Sequence, residues 1–247
     1  MATKSELLPY SESKEAAKSN PKIGYFAGCM TSLQPATIAS MKKIFSKSKQ
    51  NVWLADANGG VCCGRPLMLT GEVEAAQKMI NFNKQLFLES GIKTLVTSCP
   101  ICVKVFREDY DLEGIEVLHH TEYIHRNITS GKIQLRPSNE LFTYHDPCEL
   151  GRGLGVYNEP RSIIQSIGKL VEAKENREHA LCCGQSLANN KLLGSEKRKI
   201  SNSVLKAYKS TQAERLITAC PQCKFAFYTN KEKLRVADIS ELVAEQM

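Results

Sequence analysis

Residues 94–102 read Thr-Leu-Val-Thr-Ser-Cys-Pro-Ile-Cys, and residues 215–223 read Arg-Leu-Ile-Thr-Ala-Cys-Pro-Gln-Cys. In each, a short run of apolar and β-branched residues opens onto a cysteine, as a buried strand does where it ends. The proline that follows suits the first turn of a helix, because its missing N–H would have no intrahelical partner there. Both stretches therefore predict a strand, a cysteine at its C-terminal end, and a helix carrying a second cysteine. The same phrase occurring twice in 247 residues marks the chain as an internal duplication.

Upstream of each phrase lies an adjacent pair of cysteines followed by glycine, Cys62-Cys63-Gly64 and Cys182-Cys183-Gly184. Further upstream stand Cys29 and Cys148. The repeat maps Cys29 to Cys148 at an offset of 119, Cys62 and Cys63 to Cys182 and Cys183 at 120, and Cys99 and Cys102 to Cys220 and Cys223 at 121. All ten cysteines of the chain fall into these two sets of five.

Periodicity between the cysteines completes the plan. In the first half, strands are predicted at residues 23–28, 52–54, 94–97 and 115–118. Helices are predicted around Ile38, Met41, Ile44 and Phe45, over 72–89 up to the stop at Gly91, from Pro100 through Phe106, and over 121–128. The second half repeats this, with strands at 142–145, 170–173, 216–218 and 236–239 and helices at 162–167, 195–209 and near the C-terminus. Asn58-Gly59-Gly60 reads as a turn and residues 129–140 as a linker. Alternating strands and helices imply an α/β protein of two Rossmann-like halves related by a pseudo-twofold. Each half would be a small parallel sheet flanked by helices, with right-handed crossovers. The domains expected are residues 22–130 and 140–247, after a flexible tail over residues 1–21. Ligands of such sheets bind beyond the strand C-termini, where Cys29, Cys99, Cys148 and Cys220 are placed.

Composition sets bounds. A hydrophobic share of 42% and a charged share of 24% are those of an ordinary globular protein. Residues 1–21 are polar and lack the apolar core of a signal peptide, and no apolar run reaches the ~20 residues a spanning helix needs. The expected setting is a reducing cytoplasm, where metal binding or redox chemistry is favoured over structural disulfides. The net charge of +7 is concentrated in Lys42, Lys43, Lys47 and Lys49 and in Lys191, Lys197, Arg198, Lys199, Lys206 and Lys209. Such runs are read as solvated helix faces or as docking surfaces for an acidic partner or an anionic membrane. A single tryptophan and the lack of a basic strip interleaved with aromatics argue against nucleic acid.

Soft thiolates suit zinc and iron–sulfur clusters and argue against calcium or magnesium. Zinc and an ordinary cubane cluster each need four ligands, so five cysteines leave one in excess. That fifth sulfur is either a redox thiol or an additional ligand of a larger cluster, and spacing leaves both open. Gly64 and Gly184 allow close backbone approach, and N–H groups there can donate to sulfur. His145, three residues before Cys148, is a candidate hydrogen-bond donor near the site. Arg65 and Arg152, beside cluster cysteines, are candidates for offsetting charge, binding an acidic substrate or making an ion pair. His119, His120 and His125 are expected in surface or capping roles, and His179 in a structural one.

In the first half 32 residues separate Cys29 from Cys62 and 35 separate Cys63 from Cys99. In the second half the counts are 33 and 36, and each set ends in Cys-Pro-x-Cys. With His145-Asp146-Pro147-Cys148, Leu150-Gly151-Arg152 and Tyr157-Asn158-Glu159-Pro160-Arg161, this resembles the tandem CCG-domain, or cysteine-rich domain, proteins. They include the B-type and D-type subunits of heterodisulfide reductase and the iron–sulfur subunits of glycolate, lactate and glycerol-3-phosphate oxidising enzymes. The resemblance covers about residues 22–243, and the second half looks closest to the D-type proteins. It implies two iron–sulfur clusters of a non-cubane 4Fe–4S kind, facing each other across the pseudo-twofold. One would be held by Cys29, Cys62, Cys63, Cys99 and Cys102, the other by Cys148, Cys182, Cys183, Cys220 and Cys223, with zinc an alternative in one site.

It also implies an oxidoreductase subunit acting on a thiol or disulfide substrate. Its expected partners are a ferredoxin-like subunit and a flavoprotein, with any membrane association peripheral and through them. The chain departs from the family where a histidine often follows Asp-Pro-Cys, here Glu149, and where glycine often follows Cys-Cys-Gly, here Gln185 and Ser186. Two other readings stand beside this one. The first is an electron-transfer subunit between a flavin-dependent dehydrogenase and quinone, and the second is a zinc-stabilised scaffold.

Overall fold

The computed structural model describes residues 21–56, 61–229 and 234–247, apart from the side chain of Ala188. Residues 1–20 of the tail expected over 1–21, and the Asn58-Gly59-Gly60 turn, lie outside the described residues.

The first half runs β1 (Ile23–Phe26), α1 (Gly28–Thr31), α2 (Pro35–Lys47), β2 (Val52–Leu54), α3 (Arg65–Thr70), α4 (Val73–Glu89), β3 (Thr94–Thr97), α5 (Pro100–Glu108), β4 (Glu116–His119) and α6 (His120–Thr129). The second runs β5 (Leu141–His145), α7 (Cys148–Gly151), α8 (Asn158–Gln165), β6 (Lys169–Leu170), α9 (Gly194–Lys209), β7 (Arg215–Thr218), α10 (Pro221–Tyr228), β8 (Arg235–Asp238) and α11 (Ile239–Gln246). The strands pair in the orders β2-β1-β3-β4 and β6-β5-β7-β8, and every pairing is parallel. Helices cover both faces of a parallel sheet, so its central strands are buried on both sides. All four residues of β1 are buried, as are Leu95, Val96 and Thr97 of β3.

The strand order explains where the cysteines go. From β1 the chain steps outward to β2, then returns to lay β3 on the other side of β1. The neighbouring strands β1 and β3 thus send their outgoing loops in opposite directions, which opens a crevice at their C-terminal ends. Cys29 and Cys99 emerge there, and Cys148 and Cys220 emerge at the same point between β5 and β7.

The halves are built into each other. The last helix of the second half, α11, packs on the first long helix of the first, α2, while α6 packs on α8. One apolar cluster runs through both sheets, from Tyr25, Ile44 and Tyr123 to Phe142, Ile163, Ile217 and Leu242. Each half therefore depends on the other to cover its helices.

Three expectations are corrected. The strand predicted at 170–173 is only Lys169–Leu170, because Glu172 turns away to pair with Arg161, Oε1 to Nε at 2.7 Å. The helix predicted at 162–167 begins four residues earlier, at Asn158. Residues 129–140 form a packed strap. Ile133 is buried, Arg136 N–H donates to Gln246 O at 2.8 Å and Ser138 N–H to Ile167 O at 2.6 Å, so the backbone is fixed despite its polar composition.

Candidate metal centres

Each half gathers its five sulfurs into a string of successive contacts. Hydrogen bonds link Cys29 to Cys62, Cys62 to Cys63, Cys63 to Cys102, and Cys102 to Cys99. The second half repeats the order through Cys148, Cys182, Cys183, Cys223 and Cys220, with Cys183 and Cys223 Sγ 3.2 Å apart. Cys63, Cys99 and Cys102 are buried, as are Cys183, Cys220 and Cys223, while Cys29 is exposed and Cys62, Cys148 and Cys182 are half-buried. Each string thus runs from the core to the surface.

The charge pattern at the surface end of both strings is the same. Donation from the Cys29 thiol, then from Cys63, pulls Cys62 far below the usual thiol range, and Cys29 is pushed up by that bond and by burial. Cys182 is likewise pulled down, first by Cys148 and then by Cys183. The first cysteine of each doublet is the shared proton acceptor, so a metal entering either string displaces protons from its neighbours.

The loops that hold the sulfurs have physical causes. Gly64 and Gly184 sit at φ of 87° and 89°, in the left-handed region that favours glycine. Their N–H groups donate to Cys62 and Cys182 Sγ at 3.4 Å each. Carbonyls of the doublets are tied down too: Cys62 O accepts from Asn83 at 2.9 Å, Cys63 O from Tyr110 at 3.2 Å, and Cys183 O from Ser201 at 2.6 Å. Asp56 accepts from the N–H groups of Ala27 at 3.0 Å and Gly28 at 2.6 Å, which sets the turn into Cys29. In the second half that turn is held differently. Asp146 is bidentate to Arg161 at 2.7 and 2.8 Å and also accepts from Arg177 N–H at 2.8 Å. Sequence reasoning singles out none of Asp56, Asn83, Tyr110, Ser201 or Tyr208; for Asn83, Ser201 and Tyr208 the signal that could find them is a polar residue on the apolar face of a helix, whereas Asp56 and Tyr110 lie beyond the ends of β2 and α5 and carry no such signal.

Helices that carry sulfurs of the two strings pack on one another across the halves. Cys29 lies on α1, which packs on α10, the helix carrying Cys223; Cys148 lies on α7, which packs on α5, the helix carrying Cys102. Gln34 reaches across to Pro221 O at 2.6 Å, and Lys104 lies 3.5 Å from Glu149. Glu149 therefore ends in an ion pair between the halves.

His145 is fully buried, with Nδ1 2.8 Å from the Tyr208 hydroxyl. Arg152 donates to Glu178 O at 3.1 Å and Ala180 O at 2.8 Å, anchoring the segment that leads into Cys182. Arg65 is half-buried at the start of α3. His119 and His120 are sealed in the core, against a surface role; His119 does cap α6 by accepting from Thr121 N–H. His179 is on the surface. The first lysine cluster lies on α2 and the turn after it, with Lys43 reaching Ala244 O at 2.5 Å, and most of the second lies on α9. No helix among the described residues is long and apolar enough to cross a membrane.

The donor set fits an iron–sulfur centre in each half: ten soft sulfurs, with backbone N–H groups aimed at two of them. The chain is 31% identical over 234 residues to the B-type subunit of the fumarate reductase (CoM/CoB) of Methanothermobacter marburgensis, covering 91% of this chain and 46% of that protein. It is 31% identical over 248 residues to the D-type subunit of the dihydromethanophenazine:CoB–CoM heterodisulfide reductase of Methanosarcina barkeri, covering 91% and 59%. It is 28% identical over 205 residues to the EtfAB:quinone oxidoreductase of Syntrophomonas wolfei, covering 75% and 28%. The chain thus spans about half the length, or less, of these relatives. Among solved structures, the glutamate racemase of Aquifex pyrophilus is similar over 90% of this chain and 81% of its own, at 16% identity and a TM-score of 0.39. Residues 23–107 and 142–228 each match the CCG family, described as a cysteine-rich domain. The chain belongs to that family, in two copies.

Proposed function

We propose that the chain is the iron–sulfur redox subunit of a heterodisulfide reductase-like complex, reducing or forming a disulfide at two 4Fe–4S clusters of the non-cubane kind. The observation that carries this reading is the pair of complete five-sulfur strings, one in each half, on helices that pack on one another. Reducing a disulfide to two thiols takes two electrons and two protons, and two one-electron centres in one chain match that need. The shape of the donor set supports a cluster over a single ion. A tetrahedral zinc with bonds of about 2.3 Å brings four sulfurs to within ~4 Å of one another. Among the described residues, the group of three or more such donors lying mutually within 4.8 Å is His145, Cys183 and Cys223, which is short of such a cage.

The electrons would come from a ferredoxin-like subunit and a flavoprotein, on the pattern of the proteins the chain resembles. The working place is the cytoplasm, with membrane contact through partners alone. The likeness to a quinone oxidoreductase supports a second reading, in which the chain relays electrons from a flavin-dependent dehydrogenase of glycolate, lactate or glycerol 3-phosphate toward quinone.

The test is the iron, sulfide and zinc content of anaerobically purified protein, with EPR spectra recorded during titration with low-molecular-weight disulfides. About eight irons per chain and a spectrum perturbed by a disulfide are expected. Full iron with no response to any thiol or disulfide favours the electron-relay reading, and folded protein holding zinc without iron overturns both.

A further inference from the structure

The floor beneath the two sulfur strings differs between the halves. In the first it is a box of three phenylalanines. Phe26 lies edge-on to Phe87 at 6.0 Å and to Phe106 at 5.0 Å, and Phe87 to Phe106 at 5.4 Å. At the offsets of the repeat the second half places His145, Tyr208 and Phe227, with centroids 5.7, 4.8 and 6.3 Å apart and again edge-on. The repeat keeps the box and carries a histidine–tyrosine pair where the first half has two phenylalanines. All three of these side chains are buried.

Polar groups in such a place need partners. His145 Nδ1 has one, the Tyr208 hydroxyl at 2.8 Å. His145 Nε2 has no hydrogen-bond partner among the described residues, and a ring nitrogen of His145 forms with Cys183 and Cys223 Sγ a group whose members all lie within 4.8 Å of one another.

We propose that His145 Nε2 carries a hydrogen and donates it to the Cys183–Cys223 sulfur pair, so that the second centre has a higher reduction potential than the first and is where an electron comes to rest. This rests on the reading of an iron–sulfur centre in each half. The tautomer follows from counting. If Nδ1–H donated to Tyr208, the tyrosine hydrogen would need a further acceptor and Nε2 a donor, and the group that stands beside the ring is the sulfur pair. If Tyr208 O–H donates to Nδ1, the hydrogen on Nε2 faces anionic sulfur and both rings are satisfied. Donation to cluster sulfur stabilises the more negative, reduced form and raises the potential. Tyr208 is then a positioning residue, acting through the imidazole. In the first half Phe26 and Phe87 offer no donor, so the two centres, alike in ligands, differ in potential.

The test compares wild-type protein, His145→Phe and Tyr208→Phe, which restore the rings of the first half one at a time. Iron and sulfide content and EPR-monitored redox titrations are measured on anaerobically purified protein, with the second centre identified as the signal lost in Cys223→Ser. His145→Phe is expected to keep its iron and to lower the reduced-to-oxidised ratio of the second centre about tenfold at fixed potential, a shift of about 59 mV for one electron. Tyr208→Phe is expected to shift the same centre less and in the same sense, and the first centre stays where it was. Full iron with an unchanged second potential in both variants overturns the inference and leaves the reading of two clusters intact. Loss of iron from the second half alone in a folded His145→Phe protein makes the histidine a ligand and also overturns it. Wild-type protein without iron and sulfide in the second half sinks the underlying reading, and the inference with it. Where His145→Phe does not fold, the shift in Tyr208→Phe decides.

Discussion

His120 Nε2 lies 3.2 Å from Asp238 Oδ1, and both side chains are sealed from solvent. His120 opens the last helix of the first half, and Asp238 ends the last strand of the second, so the pair joins the halves through their shared core. Burial alone would raise the Asp238 carboxyl; the facing His120 and donation from Ser240 outweigh it and hold the group below the usual range. Asp238 also caps α11 by accepting from Ser240 N–H.

Removing one partner of a buried pair strands the other, at a cost of about 3–5 kcal/mol. Asp238→Ala is therefore expected to lower the urea midpoint of the whole chain in a single transition, because α11 covers the first half as well as the second. A midpoint within the error of wild type would show that the pair contributes nothing to joining the halves.

Acid should destabilise the metal-free protein before its carboxylates titrate. Burial, reinforced by His120, keeps His119 well below its ordinary value, and burial takes His145 to about 4. Below the unfolded value near 6.5 the unfolded chain binds protons that the folded chain does not, so stability falls as pH falls. For His145 the window runs from about 6.5 down to about 4, at roughly 1.4 kcal/mol per pH unit. Urea midpoints measured at pH 7.5, 6 and 5 should decrease in that order, and a flat profile would remove these histidines from the argument.

The two doublet glycines should respond unequally to alanine. Both sit at positive φ, a strain of about 1–3 kcal/mol for other residues. A Cβ on Gly184 would also stand 2.9 Å from Lys197 O and 3.2 Å from Ile200 Cβ, whereas on Gly64 the nearest atom is Ile80 Cγ1 at 3.6 Å. Gly184→Ala is expected to lose more stability, and more iron, than Gly64→Ala. Equal losses in melting temperature and iron content would mean that backbone conformation alone sets the cost.

Arg161 should matter more than its distance from the sulfurs suggests. It is bidentate to Asp146, pairs with Glu172, and stands 5.4 Å from the centre of the Tyr144 ring. Arg161→Met would leave Asp146 buried and unpaired, and would loosen the Arg177 backbone that Asp146 holds ahead of Cys182. A loss of about 3–5 kcal/mol is expected, together with faster iron release to a chelator from the second half than from the first. Iron release at equal rates from both halves would confine Arg161 to a packing role.

Much of this was legible from local text. The strand–cysteine–proline units, the Cys-Cys-Gly turns and the grouping into two sets of five depend on periodicity and turn chemistry, which are properties of neighbouring residues. Legibility failed where a distant partner overrode a local preference. Residues 129–140 have the composition of a free linker, yet are strapped down by Gln246 and Ile167. His119 and His120 look like surface residues, yet both are sealed in the core, where Asp238 arrives from the other half to meet His120.

By itself the sequence determined the α/β duplication, the ten sulfurs and the strand ends that carry them, because a strand's apolar run and the helix start after it are encoded side by side. Only the tertiary structure decided how the halves interlock, with α11 on α2, α6 on α8, and the sulfur-bearing helices of one half on those of the other. It alone brought Tyr208 to His145 across 63 positions and set the imidazole beside the Cys183–Cys223 pair. Those relations are contacts between residues far apart in the chain, and packing fixes them where no local pattern can.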